Sequence, residues 1–308
     1  MSTAAIAPTT TTGNVERALL VQGFLVALDS EGRSPATARL YQYGLQRLFG
    51  VLDRFGLGAV PLAQLTREHL EHALAELRRE GLSPSTRQAV HRAMRAFWRW
   101  ALEEGEIREN IAARVKAPVG EEKVVDVLTD EQRDALFRSL RRDGSLLGLR
   151  DLTAITILSD TGLRASELLS LTVEAIDVQQ RRAIILGKGA RERIIGLEPG
   201  TLRLLRRYWR RASIMQGAIL RGRTGGPLTL SGLYLAIRRR GQQAGIPSLH
   251  PHVFRHGTAT ALLTAGVQEA DVRLLLGWSR GSRMLERYTK STAVERALKV
   301  RQAVRLVR

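Results

Sequence analysis

The sequence contains no cysteine among its 308 residues. Without thiols the chain cannot form disulfides or the thiolate zinc sites of small metal-bound domains. The composition is therefore compatible with a reducing compartment.

Long apolar runs are missing as well. No run approaches the roughly 20 apolar residues that a membrane-spanning helix needs. The N-terminus, MSTAAIAPTTTTG, lacks the basic start and apolar middle of a secretory signal. We predict a flexible tail over residues 1–13 and a cytoplasmic protein with no membrane partner.

Acidic residues are the scarcer charge. The chain has 30 Asp and Glu against 48 Lys and Arg, which gives a formal net charge of +18. Such an excess favours a polyanion through counterion release, and Arg in particular makes forked contacts with phosphate oxygens. Several basic residues recur at patterned positions, which favours nucleic acid over the alternative of a merely solvated basic surface.

The first third of the chain has helical patterns. Ser34-Pro35-Ala36-Thr37 and Ser83-Pro84-Ser85-Thr86 each place a capping Ser before a Pro at the first helical position. With the apolar stripes that follow, they predict an all-helical domain over residues 14–118. Trp98 and Trp100 cannot share a helix face, so we expect one in the core and one at its rim.

Five arginines of this domain are candidates for contact with a DNA backbone, because phosphate contacts need only cationic reach. The alternative for each is an exposed surface arginine. The five are Arg33, Arg39, Arg87, Arg92 and Arg95. His69 and His72 have no partner at metal-ligand spacing and are interpreted as surface residues.

A polar segment broken by Pro and Gly predicts an interdomain linker over residues 119–127. Thr129-Asp130-Glu131-Gln132 then has the pattern of a capping box at the start of a second domain, residues 128–308. Asp126, Asp130 and Asp134 are spaced four apart, which suggests a metal site. Acidic residues near a helix N-terminus are favoured by the helix dipole in any case, and this second interpretation is preferred.

After the first helix of the second domain, residues 150–171 contain two helical stretches joined at Thr161-Gly162. Arg164 and Glu167 follow at i, i+3, so the carboxylate can orient the guanidinium. A simple helix ion pair is the alternative.

Short β-type runs over residues 183–186 and 193–197 flank Gly187-Lys188-Gly189 and predict a hairpin with Lys188 at its tip. Such a lysine is usually solvated, but flanking glycines also allow close approach to a ligand. Helices are predicted over residues 199–215 and 231–244, and an amphipathic tail helix is predicted over residues 293–308. The fold class is therefore mainly α, with a largely helical mixed α/β second domain and a small antiparallel sheet.

The segment over residues 249–290 contains most of the candidate catalytic side chains. Pro251 predicts a helix start, which puts three side chains on one cationic face. They are His252, Arg255 and His256. Phe254, Ala261 and Leu262 are predicted to face the core.

Gly266 and Gly277 then predict helix ends, leaving Trp278 on a turn and Tyr288 on a following helix. An ordinary core position for the Tyr288 ring is the alternative. Histidine-bound metal is an alternative for the clustered histidines, but no carboxylate joins them.

These residue types suit attack on a phosphodiester. Guanidinium and imidazole donors such as Arg164, Arg255 and His252 stabilise charge that develops on the non-bridging oxygens. A Tyr hydroxyl can act as nucleophile, and a mobile Lys can protonate the departing sugar oxygen. The scheme requires neither a metal ion nor a nucleotide cofactor, and no P-loop pattern is present.

Four motifs occur in one order along the chain: TGLRASELLSL, GKGARERII, HPHVFRH and LGWSRGSRMLERYTK. In these motifs the chain resembles the tyrosine recombinases, the phage integrase family, and looks most like the Xer-type members. The resemblance covers nearly the whole chain.

The resemblance implies that Tyr288 attacks a DNA phosphate and forms a 3′-phosphotyrosyl link. It assigns the phosphate clamp to Arg164 and Arg255, protonation of the leaving 5′-oxygen to Lys188, and assistance in proton transfer to His252. Supporting positions beside the site are implied for Glu167 and His256. Trp278 stands where Xer-type members usually have His, and hydrogen bonding and packing is the role expected for it.

The same resemblance implies a SAM-like core-binding fold for the N-terminal domain. It also implies double-stranded DNA recombination sites as partner and a tetramer on DNA linked through the tail segments. A topoisomerase-like strand passer and a non-catalytic DNA-binding protein with a degenerate site are the alternatives.

Overall fold

The computed structural model describes residues 12–120, 126–186 and 192–279. The chain divides into two compact units, one ending at Lys123 and the other beginning at Val124. The division falls inside the segment predicted as a linker.

The first unit is helical over its described residues. Its α-helices are α1 Thr12–Ser30, α2 Pro35–Arg54, α3 Arg67–Arg79 and α4 Pro84–Glu103, with 3-10 turns at Leu62–Gln64 and Ile111–Arg114. The side chains of Ser34 and Ser83 accept hydrogen bonds from the backbone N–H groups of Thr37 and Thr86. Both predicted helix starts are therefore confirmed.

Close approach of α2 and α4 forms the centre of this unit. A Cβ added to Gly44 would lie 2.7 Å from the Cβ of Ala93, so only glycine permits this spacing. Phe97 and Trp98 are fully buried beside it, whereas Trp100 is partly buried. The expected division of the two tryptophans between core and rim is confirmed.

The second unit contains seven described α-helices and a small sheet. The helices are α5 Asp130–Arg142, α6 Leu146–Thr161, α7 Ala165–Ser170, α8 Pro199–Ala212, α9 Leu230–Gln243, α10 Pro251–Thr264 and α11 Glu269–Leu276. Thr129 forms the predicted capping box with Gln132 at the start of α5. The helix α6 is apolar almost all round and packs against α5, α8 and α10.

The sheet is antiparallel, with strands β1 Ile176–Asp177, β2 Arg182–Leu186 and β3 Glu192–Gly196 in that order. Ala183 pairs with Ile195 on the buried face, and Ile184 pairs with Ile194 on the exposed face. The two longer strands were predicted. The two-residue strand β1 was not, because so short a run carries no periodicity.

A buried ionic network ties α5, α6 and α9 together. The Asp151 carboxylate accepts from Nε of Arg150 at 3.0 Å and from Nε of Arg240 at 2.8 Å. Nη2 of Arg240 also donates to Asp143 at 2.7 Å. Both Arg150 and Arg240 are nearly fully buried, so each charge is paired where water cannot reach it.

Within the described part of the chain, no helix is long and apolar enough to cross a membrane.

Candidate active site

Two glycines end the helices that frame the site. Gly162 follows α6 and Gly277 follows α11, each in the left-handed conformation with φ of 62°. A Cβ on Gly162 would come within 2.7 Å of Cδ2 of Leu276, so the end of α6 packs directly on the end of α11. The close packing brings the free carbonyl groups of both helix ends to one place.

Arg255 on α10 connects these two helix ends. Its Nη1 donates to the Gly162 carbonyl at 2.7 Å, and its Nη2 donates to the Leu276 carbonyl. Only 4% of the residue is exposed. A buried guanidinium therefore supplies the hydrogen bonds that two helix C-termini need, where helix dipoles favour positive charge.

Arg164 occupies the N-cap position of α7 and contacts both Glu167 and the end of α11. Its Nη1 donates to Oε1 of Glu167 at 2.7 Å, and its backbone N–H donates to Oε2 at 2.8 Å. Its Nη2 donates to the Gly277 carbonyl at 3.1 Å. The predicted orientation of this guanidinium by Glu167 is seen in the structure, and one third of the Arg164 side chain stays exposed.

Arg193 on β3 was missed by sequence reasoning. Its Nη1 and Nη2 donate to the two carboxylate oxygens of Glu167, each at 2.9 Å, in a fork-to-fork pair. A Cβ on Gly277 would lie 2.6 Å from its Nη1. The available signal was register, because Arg193 shares the inward side of β3 with buried Ile195.

Positive charge exceeds negative charge at the site. Among the described residues, three guanidinium groups, from Arg164, Arg193 and Arg255, are grouped around the carboxylate of Glu167. Burial alone would raise the pKa of Glu167, but hydrogen bonds from Arg193 and Arg164 outweigh it and lower that pKa to about 2. The carboxylate is ionised at neutral pH, and two positive charges remain for an anion.

Burial and the nearby cations Arg164 and Arg193 lower the pKa of Arg255 to about 9. A guanidinium with that pKa is still protonated at pH 7. Like charges held this close are costly unless an anion completes the site. The arrangement therefore fits a phosphate group.

The histidines of α10 lie beside these cations. The ring centroids of His252 and His256 are 6.3 Å apart. Partial burial, then His250 and Arg255, lower the pKa of His252, and burial followed by the neighbouring histidines lowers that of His256 to about 4. Both rings are neutral at pH 7, so each imidazole has one donor nitrogen and one acceptor nitrogen.

Trp278 packs against the buried arginine. The guanidinium carbon of Arg255 lies 5.3 Å from the centre of the indole ring, within the range of a cation–π contact. This contact fits the packing role expected for Trp278.

One expectation for α10 was wrong. Phe254 is buried, but Ala261 is exposed. The second half of the helix turns toward α11, so that Ala259 and Leu263 pack with Val272 and Leu276 rather than with the main core. Helical spacing alone does not reveal such a change of partner.

Lys188, Tyr288 and the predicted tail helix over residues 293–308 lie outside the described residues. The structure therefore brings together four of the six residues predicted to be catalytic, Arg164, His252, Arg255 and Trp278, with Glu167 and His256 beside them.

The candidate DNA-contacting arginines of the first unit are on or next to its helices. Arg33, Arg39, Arg92 and Arg95 are exposed. Arg87 is partly buried, and its Nε donates to the Leu82 carbonyl at 3.2 Å.

For the acidic alternative near α5, Asp130 pairs with Arg133 at 2.9 Å. Among residues 12–120, 126–186 and 192–279, no group of three or more potential metal-ligating side chains is found.

Comparisons with known proteins identify the family of this chain. Residues 126–295 match the model of the phage integrase family, and residues 21–105 match that of the phage integrase N-terminal SAM-like domain. The chain belongs to the phage integrase family. It is a site-specific tyrosine recombinase, an enzyme that cleaves and rejoins DNA.

Relatives extend along most of the chain. Tyrosine recombinase XerC of Alcanivorax borkumensis is 31% identical over 264 residues, covering 83% of this chain and 84% of that protein. Tyrosine recombinase XerD of Pseudomonas aeruginosa is 32% identical over 271 residues, covering 84% of this chain and 89% of that protein.

Solved structures share the fold at lower identity. XerH recombinase bound to a palindromic difH substrate aligns with a TM-score of 0.73 at 18% identity, over 96% of this chain and 86% of that one. A lambda integrase tetramer bound to a Holliday junction aligns with a TM-score of 0.68 at 18% identity, over 91% and 78% of the two chains. The predicted fold class, a helical N-terminal domain followed by a largely helical domain with a small antiparallel sheet, is confirmed.

Proposed function

We propose that Tyr288 attacks a DNA phosphate, forms a 3′-phosphotyrosyl bond and releases a 5′-hydroxyl. The observation that carries this proposal is the pairing of Arg164 and Arg255 at the joined ends of α6 and α11 with two positive charges in excess. A phosphodiester gains negative charge on its non-bridging oxygens as the nucleophile approaches. Two fixed guanidinium groups stabilise that charge more than they stabilise the ground state.

The remaining roles follow from proton balance. The phenol proton of Tyr288 must leave as the P–O bond forms, and neutral His252 has an acceptor nitrogen for proton transfer. The 5′-oxygen must gain a proton as its bond to phosphorus breaks, and Lys188 supplies it. Trp278 holds Arg255 through its ring and donates a hydrogen bond to phosphate through its N–H.

Duplex DNA carrying recombination sites is the proposed substrate, and the active assembly is a tetramer. Support comes from the net charge of +18 and from relatives whose structures are described as bound to DNA, one as a tetramer. Residues 14–118 form the proposed core-binding domain, joined by a linker over residues 119–127 to a catalytic domain over residues 128–308. The five candidate arginines, Arg33, Arg39, Arg87, Arg92 and Arg95, contact the backbone of the duplex.

A plasmid assay tests the reaction class. DNA fragments trapped covalently on the protein are sequenced, and two copies of the recovered site are cloned in one plasmid. Recombinase action predicts that the segment between the two sites is excised or inverted. Relaxation of supercoils without exchange would assign the protein to topoisomerase-like strand passage instead.

A further inference from the structure

Arg193 has no role in the proposed reaction, yet its placement is unusual for a strand residue. Its side chain is only 12% exposed and points to the inward side of β3. Buried charges are seldom retained for stability alone, because desolvation offsets most of the ion-pair attraction. A need to hold the Arg193 guanidinium in a fixed geometry would explain why the desolvation cost of burying it is retained.

Contacts on several sides hold the Arg193 guanidinium in place. Both terminal nitrogens are directed to the Glu167 carboxylate at 2.9 Å, and the guanidinium lies against Gly277, where a Cβ would approach to 2.6 Å. Its Nε is buried and has no hydrogen-bond partner among the described residues. The orientation that directs both terminal nitrogens to Glu167 therefore leaves the Nε donor of Arg193 unsatisfied.

Glu167 transmits this constraint to Arg164. The same two oxygens that accept from Arg193 also accept from Nη1 and the backbone N–H of Arg164. Exposure falls from 33% for the Arg164 side chain to 5% for Glu167. Arg164 is therefore the most exposed of the three side chains, and Glu167 contacts both arginines.

We infer that Arg193 is a positioning residue for DNA strand cleavage, which sets the Arg164 guanidinium through Glu167. The inference rests on the proposed function, because it assumes that Arg164 clamps the scissile phosphate. Without Arg193, the Glu167 carboxylate keeps only the hydrogen bonds from Arg164 among the described residues. The carboxylate and the Arg164 guanidinium can then shift together, and the fork is no longer fixed toward the site. Residues that orient the ligands of metal sites typically affect activity by about 10- to 100-fold, and we expect an effect of the same order for Arg193.

The test is single-turnover cleavage of a nicked duplex by the full chain at saturating DNA, with DNA affinity and thermal stability measured in parallel. Arg193→Met is expected to slow cleavage by about 10- to 100-fold. The DNA Kd is expected to stay within about twofold, because duplex affinity depends on many phosphate contacts. Arg193→Lys keeps the buried charge and the fold but loses the fork, so its rate should lie between those of Arg193→Met and wild type.

A matched control and a double-mutant cycle separate positioning from general damage. Arg182→Met removes an arginine of the neighbouring strand β2 whose side chain is 50% exposed, and it should leave the cleavage rate unchanged. In an Arg164→Lys background, Arg193→Met should cost less than about threefold, because the group that it positions has already been replaced.

Equal slowing by Arg193→Met in both backgrounds would overturn the inference, as would slowing that only tracks a loss of folded protein or of DNA affinity. Wild-type rates for both Arg193→Met and Arg193→Lys would overturn it as well. Absence of any adduct from the wild-type protein is a different result. It would reject the proposed strand cleavage, and the inference with it.

Discussion

Arg255 and Gly162 lie 93 residues apart in the sequence and are joined by a 2.7 Å hydrogen bond from the buried guanidinium to the carbonyl that ends α6. A second bond from the same guanidinium reaches Leu276 at the end of α11. One side chain thus caps two helices and forms half of the proposed phosphate clamp. The stability of the fold and the proposed catalysis therefore depend on the same guanidinium group.

Replacement of Arg255 should therefore reduce both stability and cleavage. Arg255→Met leaves two buried carbonyl groups without their donor, and each unsatisfied group costs about 1–3 kcal/mol. Chemical denaturation should show an unfolding free energy lower by at least about 1 kcal/mol. Arg182→Met, on an exposed strand position, should stay within about 0.5 kcal/mol of wild type. An Arg255→Met protein of unchanged stability would contradict the capping role.

Gly277 and Gly266 offer a matched pair of substitutions. Both have positive φ, 62° and 85°, but a Cβ at Gly266 meets no atom within 4 Å, whereas one at Gly277 meets Arg193 at 2.6 Å. Left-handed backbone costs about 1–2 kcal/mol for a non-glycine residue at either position. Gly277→Ala should be the more destabilising change and should also slow cleavage, whereas Gly266→Ala should only lower the Tm. Equal effects of the two on cleavage rate would argue against a constraint at Gly277.

Acid should weaken the fold through Glu167. Its folded-state pKa of about 2 lies below the ordinary carboxyl range, so the folded state binds the proton less readily than the unfolded state. The stabilisation is present above about pH 5 and is lost as the pH falls toward 2, with a slope of up to about 1.4 kcal/mol per pH unit from this one group.

Denaturation of wild type and Glu167→Gln at pH 7 and between pH 5 and 3 measures that contribution. The variant should be less stable at pH 7 and should show the shallower decline. Asp143, whose pKa is also lowered to about 2 by Ser145 and Arg240, titrates in both proteins and serves as an internal reference. Parallel pH profiles for the two proteins would contradict the assignment to Glu167.

DNA cleavage should persist in mild acid, because the ring of His252 takes up a proton only at a pH below the usual value. Partial burial and the charges of His250, Arg255 and Arg164 lower its pKa below the usual 6.5, so the neutral ring persists as the pH falls through that value. We expect the acidic limb of the single-turnover cleavage rate to have its midpoint below pH 6.5. His252→Gln, which keeps hydrogen bonding but not the titration, should be slower and lose this acidic limb. An unchanged limb in His252→Gln would assign it to another group.

Much of the fold could be predicted because its signals are local. Capping residues predict three helix starts, at Ser34, Ser83 and Thr129, and Gly277 predicts a helix end. Arg164 and Glu167 are one helical turn apart, so their contact could be read from spacing.

Contacts across the chain could not be read in this way. Arg193 reaches Glu167 from a strand 26 residues later, and nothing in a run of β-type residues indicates which partner an inward arginine will meet. The capping of α6 and α11 by Arg255 depends likewise on how the two helix ends pack. Ala261 shows the same limit, since helical periodicity identifies a face but not the element that covers it.

Covalent trapping tests the central proposal most directly. The full chain is incubated with a nicked suicide duplex that contains its recombination site, and the products are separated under denaturing conditions. We predict a protein–DNA adduct whose phosphotyrosine maps to Tyr288 and which is absent from a folded, DNA-binding Tyr288→Phe variant. An adduct that persists in Tyr288→Phe, or no adduct from wild-type protein that binds the same DNA, would contradict the proposal.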